Sequence, residues 1–160
     1  MKYRTIRKGD IEKIQELAMR AWKNCYKEIY CESRIKKEVE THYETGQLER
    51  DVESARIGNE CFIVAEDKDR IFGYAQVKKQ ERTWELMRIY VEPTMIGKGT
   101  GTILIERVDK WLRKKGAKKY IAHPHTKNTP AKRFYRKMGF TRKPTGDRGW
   151  NSPCFEKLLT

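Results

Sequence analysis

The chain has 160 residues, 38% of them hydrophobic, enough for a single domain over residues 1–160 with a real core. No run approaches the roughly 18 apolar residues of a membrane span, and the start, Met1-Lys-Tyr-Arg-Thr-Ile-Arg-Lys, carries no apolar leader, so a cytoplasmic protein is expected. A net charge of +14 calls for an anionic partner, whether nucleic acid, a membrane surface or a phosphorylated cofactor.

Tyr3 to Arg7 reads as a strand, and Asp10 as the N-cap of a helix whose apolar residues Ile11, Ile14, Leu17, Ala18, Ala21 and Trp22 recur at helical spacing. Residues 34 to 57 read as a second helical region, interrupted at Gly46. Residues 61 to 66 and 71 to 77 form a hairpin pattern about Asp67-Lys-Asp-Arg70. Thr83 to Glu92 is a further strand. Strict alternation there puts Glu85, Met87, Ile89 and Val91 on one face and Trp84, Leu86, Arg88 and Tyr90 on the other.

A glycine-rich loop follows Pro93, then a helix from Thr102 to Lys115 with Gly116 as its stop. Lys119 to His125 reads as a strand. Asn128 caps a last helix carrying Ala131, Phe134, Tyr135 and Met138, ended by Gly139, and two strands close the chain. This order predicts a mixed α/β fold of the α+β type: a mostly antiparallel sheet of about seven strands flanked by about four helices.

Charge is unevenly placed. Residues 98 to 143 hold 15 Lys or Arg against Glu106 and Asp109, whereas residues 28 to 53 hold eight acids against Arg34, Lys36, Lys37 and Arg50. Cys25, Cys31, Cys61 and Cys154 form no C-x-x-C pair, and His123-Pro-His125 lacks further ligands, so reduced thiols and no metal are expected.

Ile96-Gly-Lys-Gly-Thr-Gly101-Thr lies between a strand and a helix, where successive N–H groups can be turned onto a phosphate. Its spacing matches neither the Walker A loop nor the dinucleotide fingerprint. The run Val91-x-Pro93-x-x-Ile96-Gly97-Lys98-Gly99-Thr100-Gly101 instead resembles the pyrophosphate loop of the GNAT superfamily of N-acetyltransferases. Ile96 stands where that family has Gln or Arg. Asn128-x-x-Ala131-x-x-Phe134-Tyr135-x-Lys137-Met138-Gly139-Phe140 is similar to a second GNAT segment, at the right distance.

The resemblance implies transfer of acetyl from acetyl-CoA to a primary amine by direct attack in a ternary complex. Pyrophosphate would rest on Gly97, Lys98, Gly99, Thr100, Gly101 and Thr102, and the pantetheine arm on main chain at Ile89, Tyr90 and Val91. Asn128 would meet the cofactor arm, and Lys132, Arg133, Arg136 or Lys137 the nucleotide phosphates. The basic region is then explained by a polyanionic cofactor. Tyr135 aligns with the tyrosine that hydrogen-bonds the departing sulfur, and Glu85 with an acidic residue that serves as base, acting through water.

The family shapes its acceptor site from the region that here is acidic. A cationic amine is therefore expected, with Glu28, Glu32 and Glu85 as candidate contacts; a solvated helix face is the alternative reading of those acids. The segments around Trp22, Tyr26, Ile29 and Tyr30, Glu85 to Val91 and Phe134 to Phe140 look like the PaiA type of spermidine/spermine N-acetyltransferase. Peptide or protein N-terminal acetylation is the second enzymatic reading. The third is a nucleic-acid or ribosome-binding module, suggested by Arg113-Lys-Lys-Gly-Ala-Lys-Lys119 but lacking any recognised binding motif. Neither nucleic acid nor membrane is the expected partner, and a homodimer is compatible with the resemblance.

Overall fold

Strand and helix patterns assemble around one open sheet. The computed structural model describes residues 1–160. In chain order the elements are β1 (Lys2–Thr5), α1 (Ile11–Tyr26), α2 (Glu32–His42), α3 (Thr45–Arg56), β2 (Cys61–Asp67), β3 (Arg70–Gln80) and β4 (Thr83–Val91). Then come α4 (Thr100–Lys114), β5 (Lys119–Ala122), α5 (Thr129–Lys137), β6 (Thr141–Arg142) and β7 (Phe155–Leu158). The strands lie in the order β1-β2-β3-β4-β5-β7-β6, antiparallel except where β4 meets β5.

Each face of the sheet has its own core. Ile14, Leu17 and Ala18 of α1, Ile35 and Val39 of α2 and Leu48 of α3 pack with Phe62, Val64 and Tyr74 on one face. Leu104, Ile105, Val108 and Leu112 of α4 pack with Ala75, Val77, Leu86, Tyr120 and Phe155 on the other, together with Tyr135 and Phe140. The alternation of β2 explains the division, because Phe62 and Val64 point one way and Cys61 and Ala65 the other.

Four details depart from the sequence reading. There are five α-helices, not about four, since the 34–57 region is two helices. The break falls at Tyr43 and Glu44; Gly46 lies in the first turn of α3, where its N–H donates to Glu44 Oε1 at 3.1 Å. Asp10 precedes α1 but does not cap it with its side chain. It turns back to accept from the Arg7 N–H at 2.8 Å and from both terminal nitrogens of Arg4 at 2.8 and 3.0 Å. The closing strands are short, with β6 reduced to Thr141–Arg142.

The fourth departure bears on the site. Gln76 pairs with Arg88 and Val77 with Leu86, so Met87 is an extra residue on β4. A bulge of this kind resets the alternation. Trp84 and Leu86 share a face with Ile89 and Val91, and Glu85 shares the opposite face with Arg88 and Tyr90.

Candidate active site

β4 is hydrogen-bonded to β3 along its length, from Thr83 opposite Gln80 to Val91 opposite Gly73. Its other edge meets β5 at only two positions, Glu85 with Ile121 and Leu86 with Ala122. Beyond them the strands diverge, and the outer main-chain groups of residues 87–91 have no strand partner. Unpaired edge groups facing a cleft are ready to bind an extended ligand through main-chain bonds.

The edge leads into the glycine turn. Gly97 and Gly99 have φ of +83° and +88°, a left-handed backbone that a side chain would strain. Gly99 precedes α4 without any side-chain cap, and the first amide bonded back is that of Ile103, to Gly99 O at 3.1 Å. The amides of Gly97, Gly99, Thr100, Gly101 and Thr102 therefore have no main-chain acceptor, while that of Lys98 is taken by Met95 O at 3.3 Å. Free amides at the positive end of a 15-residue helix form an anion site.

α5 closes the other wall. Asn128 caps it by accepting from the Ala131 N–H at 3.2 Å, an interaction worth about 1 kcal/mol. A Cβ placed on Gly101 would lie 3.2 Å from Phe134 Cζ, so the missing side chain is what lets α4 and α5 come together here. Tyr135 is only 7% exposed, and its hydroxyl makes no hydrogen bond within the chain although it borders the cleft. Burial pushes the phenol above its ordinary range, so it stays protonated and can donate.

Between these walls lies a cleft of about 280 Å³. Of the residues singled out from sequence, Ile89, Tyr90, Val91, Gly97, Gly99, Gly101, Thr102, Asn128, Tyr135 and Lys137 line it. Lys98, Thr100 and Lys132 do not: Thr100 is 4% exposed, its methyl packed toward Gly73, and only its amide is turned outward. Arg136 also points elsewhere, its guanidinium 5.3 Å from the Phe155 ring centre. Ala21, Asn24 and Cys25 of α1 also line it. The signal for them was weak, since Ala21 belongs to the buried stripe of an ordinary amphipathic helix and Asn24 and Cys25 flank it.

The acidic candidates do not converge on the cleft. Both Glu85 oxygens accept from Arg148, at 2.5 and 2.9 Å, and the carboxylate is 6% exposed, so it is neither a free base nor a surface group. Glu28 is exposed, and Glu32 faces solvent 3.9 Å from Lys23. Glu38 is held by Arg34 and His42, Glu53 by Arg56, and buried Asp51 by Lys78 at 2.6 Å. Most of that acidic run is thus a solvated helix surface. A larger hollow of about 430 Å³ around Arg7, Lys8, Glu49 and Arg56 touches neither the glycine turn nor the free edge.

A split strand edge running into a bare helix N-terminus suits an acyl carrier that ends in a diphosphate. The model of the Acetyltransferase (GNAT) family matches residues 12–140. The chain belongs to the GNAT acetyltransferase family. The spermidine N(1)-acetyltransferase of Thermoplasma acidophilum is 27% identical over 132 residues, 82% of each chain. An uncharacterized N-acetyltransferase of Methanocaldococcus jannaschii is 26% identical over 92% of this chain and 63% of its own length. The crystal structure of the PaiA N-acetyltransferase of T. acidophilum in complex with coenzyme A superposes with a TM-score of 0.92 at 25% identity, covering 98% of both chains. This GNAT protein is an acetyl-CoA-dependent N-acetyltransferase, with acetyl-CoA as cosubstrate. No helix is long and apolar enough to cross a membrane, and no three His, Cys, Asp or Glu cluster as metal ligands.

Proposed function

We propose that this GNAT enzyme acetylates a cationic polyamine such as spermidine or spermine, by direct attack on acetyl-CoA bound in the cleft. The carrying observation is the unpaired edge of β4 ending in the free amides of Gly97 and residues 99–102. Those amides hold the pyrophosphate, the edge at Ile89 to Val91 holds the pantetheine arm, and Asn128 and Lys137 border it. A main-chain N–H near Val91 stabilises the oxyanion as the thioester is attacked. Tyr135 donates a hydrogen bond to the sulfur as the C–S bond breaks. A thiol titrates near 8.5 and a phenol near 10, so hydrogen bonding to the thiolate is less costly than full proton transfer.

The polyamine acceptor is supported by the spermidine acetyltransferase relative and by the aromatic residues next to the cleft. Tyr26 and Tyr30 meet in a tilted pair with ring centres 5.8 Å apart, and the Arg34 guanidinium lies 4.9 Å from the Tyr30 centre, so one of these rings already carries a cation. With this function go one catalytic domain over residues 1–160, a small-molecule amine as partner and a cytoplasmic location. The test is a screen of polyamines, amino acids and basic peptides, reading free thiol release. Spermidine or spermine is expected to exceed any peptide by at least about tenfold in kcat/KM, roughly 1.4 kcal/mol; a preference for peptide N-termini overturns the acceptor.

A further inference from the structure

An alkyl ammonium must lose a proton before it can attack, yet the cleft is lined by no carboxylate and no imidazole, and Glu85 is spent on Arg148. An unspent base sits where β5 ends. His123 follows Ala122, the last residue of β5, at the point where β4 and β5 part. Ile121 is paired with Glu85, so alternation carries His123 to the face of Glu85, Arg88 and Tyr90, opposite α4.

The protonation pattern of His123 follows from its neighbours. Nδ1 lies 3.2 Å from the Ser152 carbonyl oxygen, which can only accept, so Nδ1 carries the hydrogen. In the neutral ring the lone pair is then on Nε2, and Nε2 is buried with no partner in the chain. A buried acceptor without a donor requires explanation, and a catalytic role is one of the few available. His125, two residues on, is arranged the other way: its Nδ1 accepts from the Lys127 N–H at 3.0 Å, so its neutral ring has a hydrogen, not a lone pair, on Nε2.

We infer that His123 Nε2 is the proton acceptor for the attacking amine. The ammonium gives one proton to Nε2 through a water, since the ring stands behind the cleft lining, and the freed nitrogen lone pair forms the C–N bond to the thioester carbon. The C–S bond breaks with its electron pair to sulfur. The second amine proton passes to sulfur to give the thiol, and the imidazolium returns its proton to bulk water, so each turnover releases one proton. The Ser152 carbonyl still accepts from Nδ1–H when the ring is charged. The charged groups on that side are Asp147, itself paired with Arg142, and the Glu85–Arg148 pair on the same face of the sheet.

The inference rests on the thioester lying in the split between β4 and β5, and the experiment separates the two. His123→Asn keeps a donor for the Ser152 carbonyl and removes the base. At neutral pH it should lower kcat by about 100-fold. It should also abolish the acidic limb of the kcat/KM profile, narrow the gap to wild type as pH rises, and leave calorimetric CoA affinity unchanged. His123→Gln should behave alike. An unchanged pH profile with CoA binding intact overturns the role of His123 alone; loss of CoA binding in step with activity assigns His123 to the cofactor site and overturns it as well. Imidazole ¹⁵N NMR of the wild-type protein provides a reading that needs no variant: unprotonated Nε2 is expected in the neutral ring, and a protonated Nε2 refutes the inference.

Discussion

The two sides of β4 are built from different material. On the α4 and α5 side the ligand-facing groups are main-chain amides and carbonyls left without partners by a glycine turn and a split strand pair. On the α1 and α3 side the strand is flanked by charged side chains that face one another and not the cleft: Glu85 is paired with Arg148 and Asp51 with Lys78, and Arg88 lies 4.2 Å from the Tyr43 ring centre. Backbone geometry tolerates almost any sequence that keeps the glycines, so the glycine-turn side can be shared widely. Ion pairs depend on particular residues, so that side is where relatives can diverge.

This contrast can be broken first at Gly101. Gly101→Val pushes a branched side chain into Phe134 and should raise the CoA Kd by about 100-fold, or 2.7 kcal/mol, measured by calorimetry. An affinity within about threefold of wild type would mean the α4–α5 approach does not matter. Tyr135→Phe removes one hydroxyl and should lower kcat by roughly 10- to 100-fold while CoA affinity holds, as stopped-flow thiol release would show. The smallest effect is expected on the other side. Glu85→Gln frees Arg148, which is half exposed, so the loss of stability should be only about 1 kcal/mol in urea titration. Its KM for acetyl-CoA should not change; a large change there would erase the distinction between the sides.

The glycine turn and the cap of α5 were legible in the sequence because they are written in residues with few alternative explanations. Gly97 and Gly99 sit at positive φ, and Asn128 caps α5. Glu85 was misplaced because an alternation rule assumes a regular ladder, and the extra residue at Met87 leaves no mark in hydrophobicity. Gly46 looked like a helix break, yet the chain turns earlier, at Tyr43, because the Glu44 side chain can start the next helix itself. The acids of residues 28–53 were read together from their proximity in sequence. Helical periodicity spreads them around the surface, and only Asp51 is buried. Ala21 was read only as core and Cys25 only as a reduced thiol, and Asn24 was not singled out, because the cleft they line is closed by strands and helices far along the chain.

The sheet itself is nearly two sheets. β1 to β4 form one wing and β5, β7 and β6 another, and the seam between them consists of two residue pairs. A molecule that hydrogen-bonds along the open part of that seam fastens the wings to each other while it is being held. Resistance to heat should then climb with cofactor concentration, by the mass-action rule for anything that binds only the folded form.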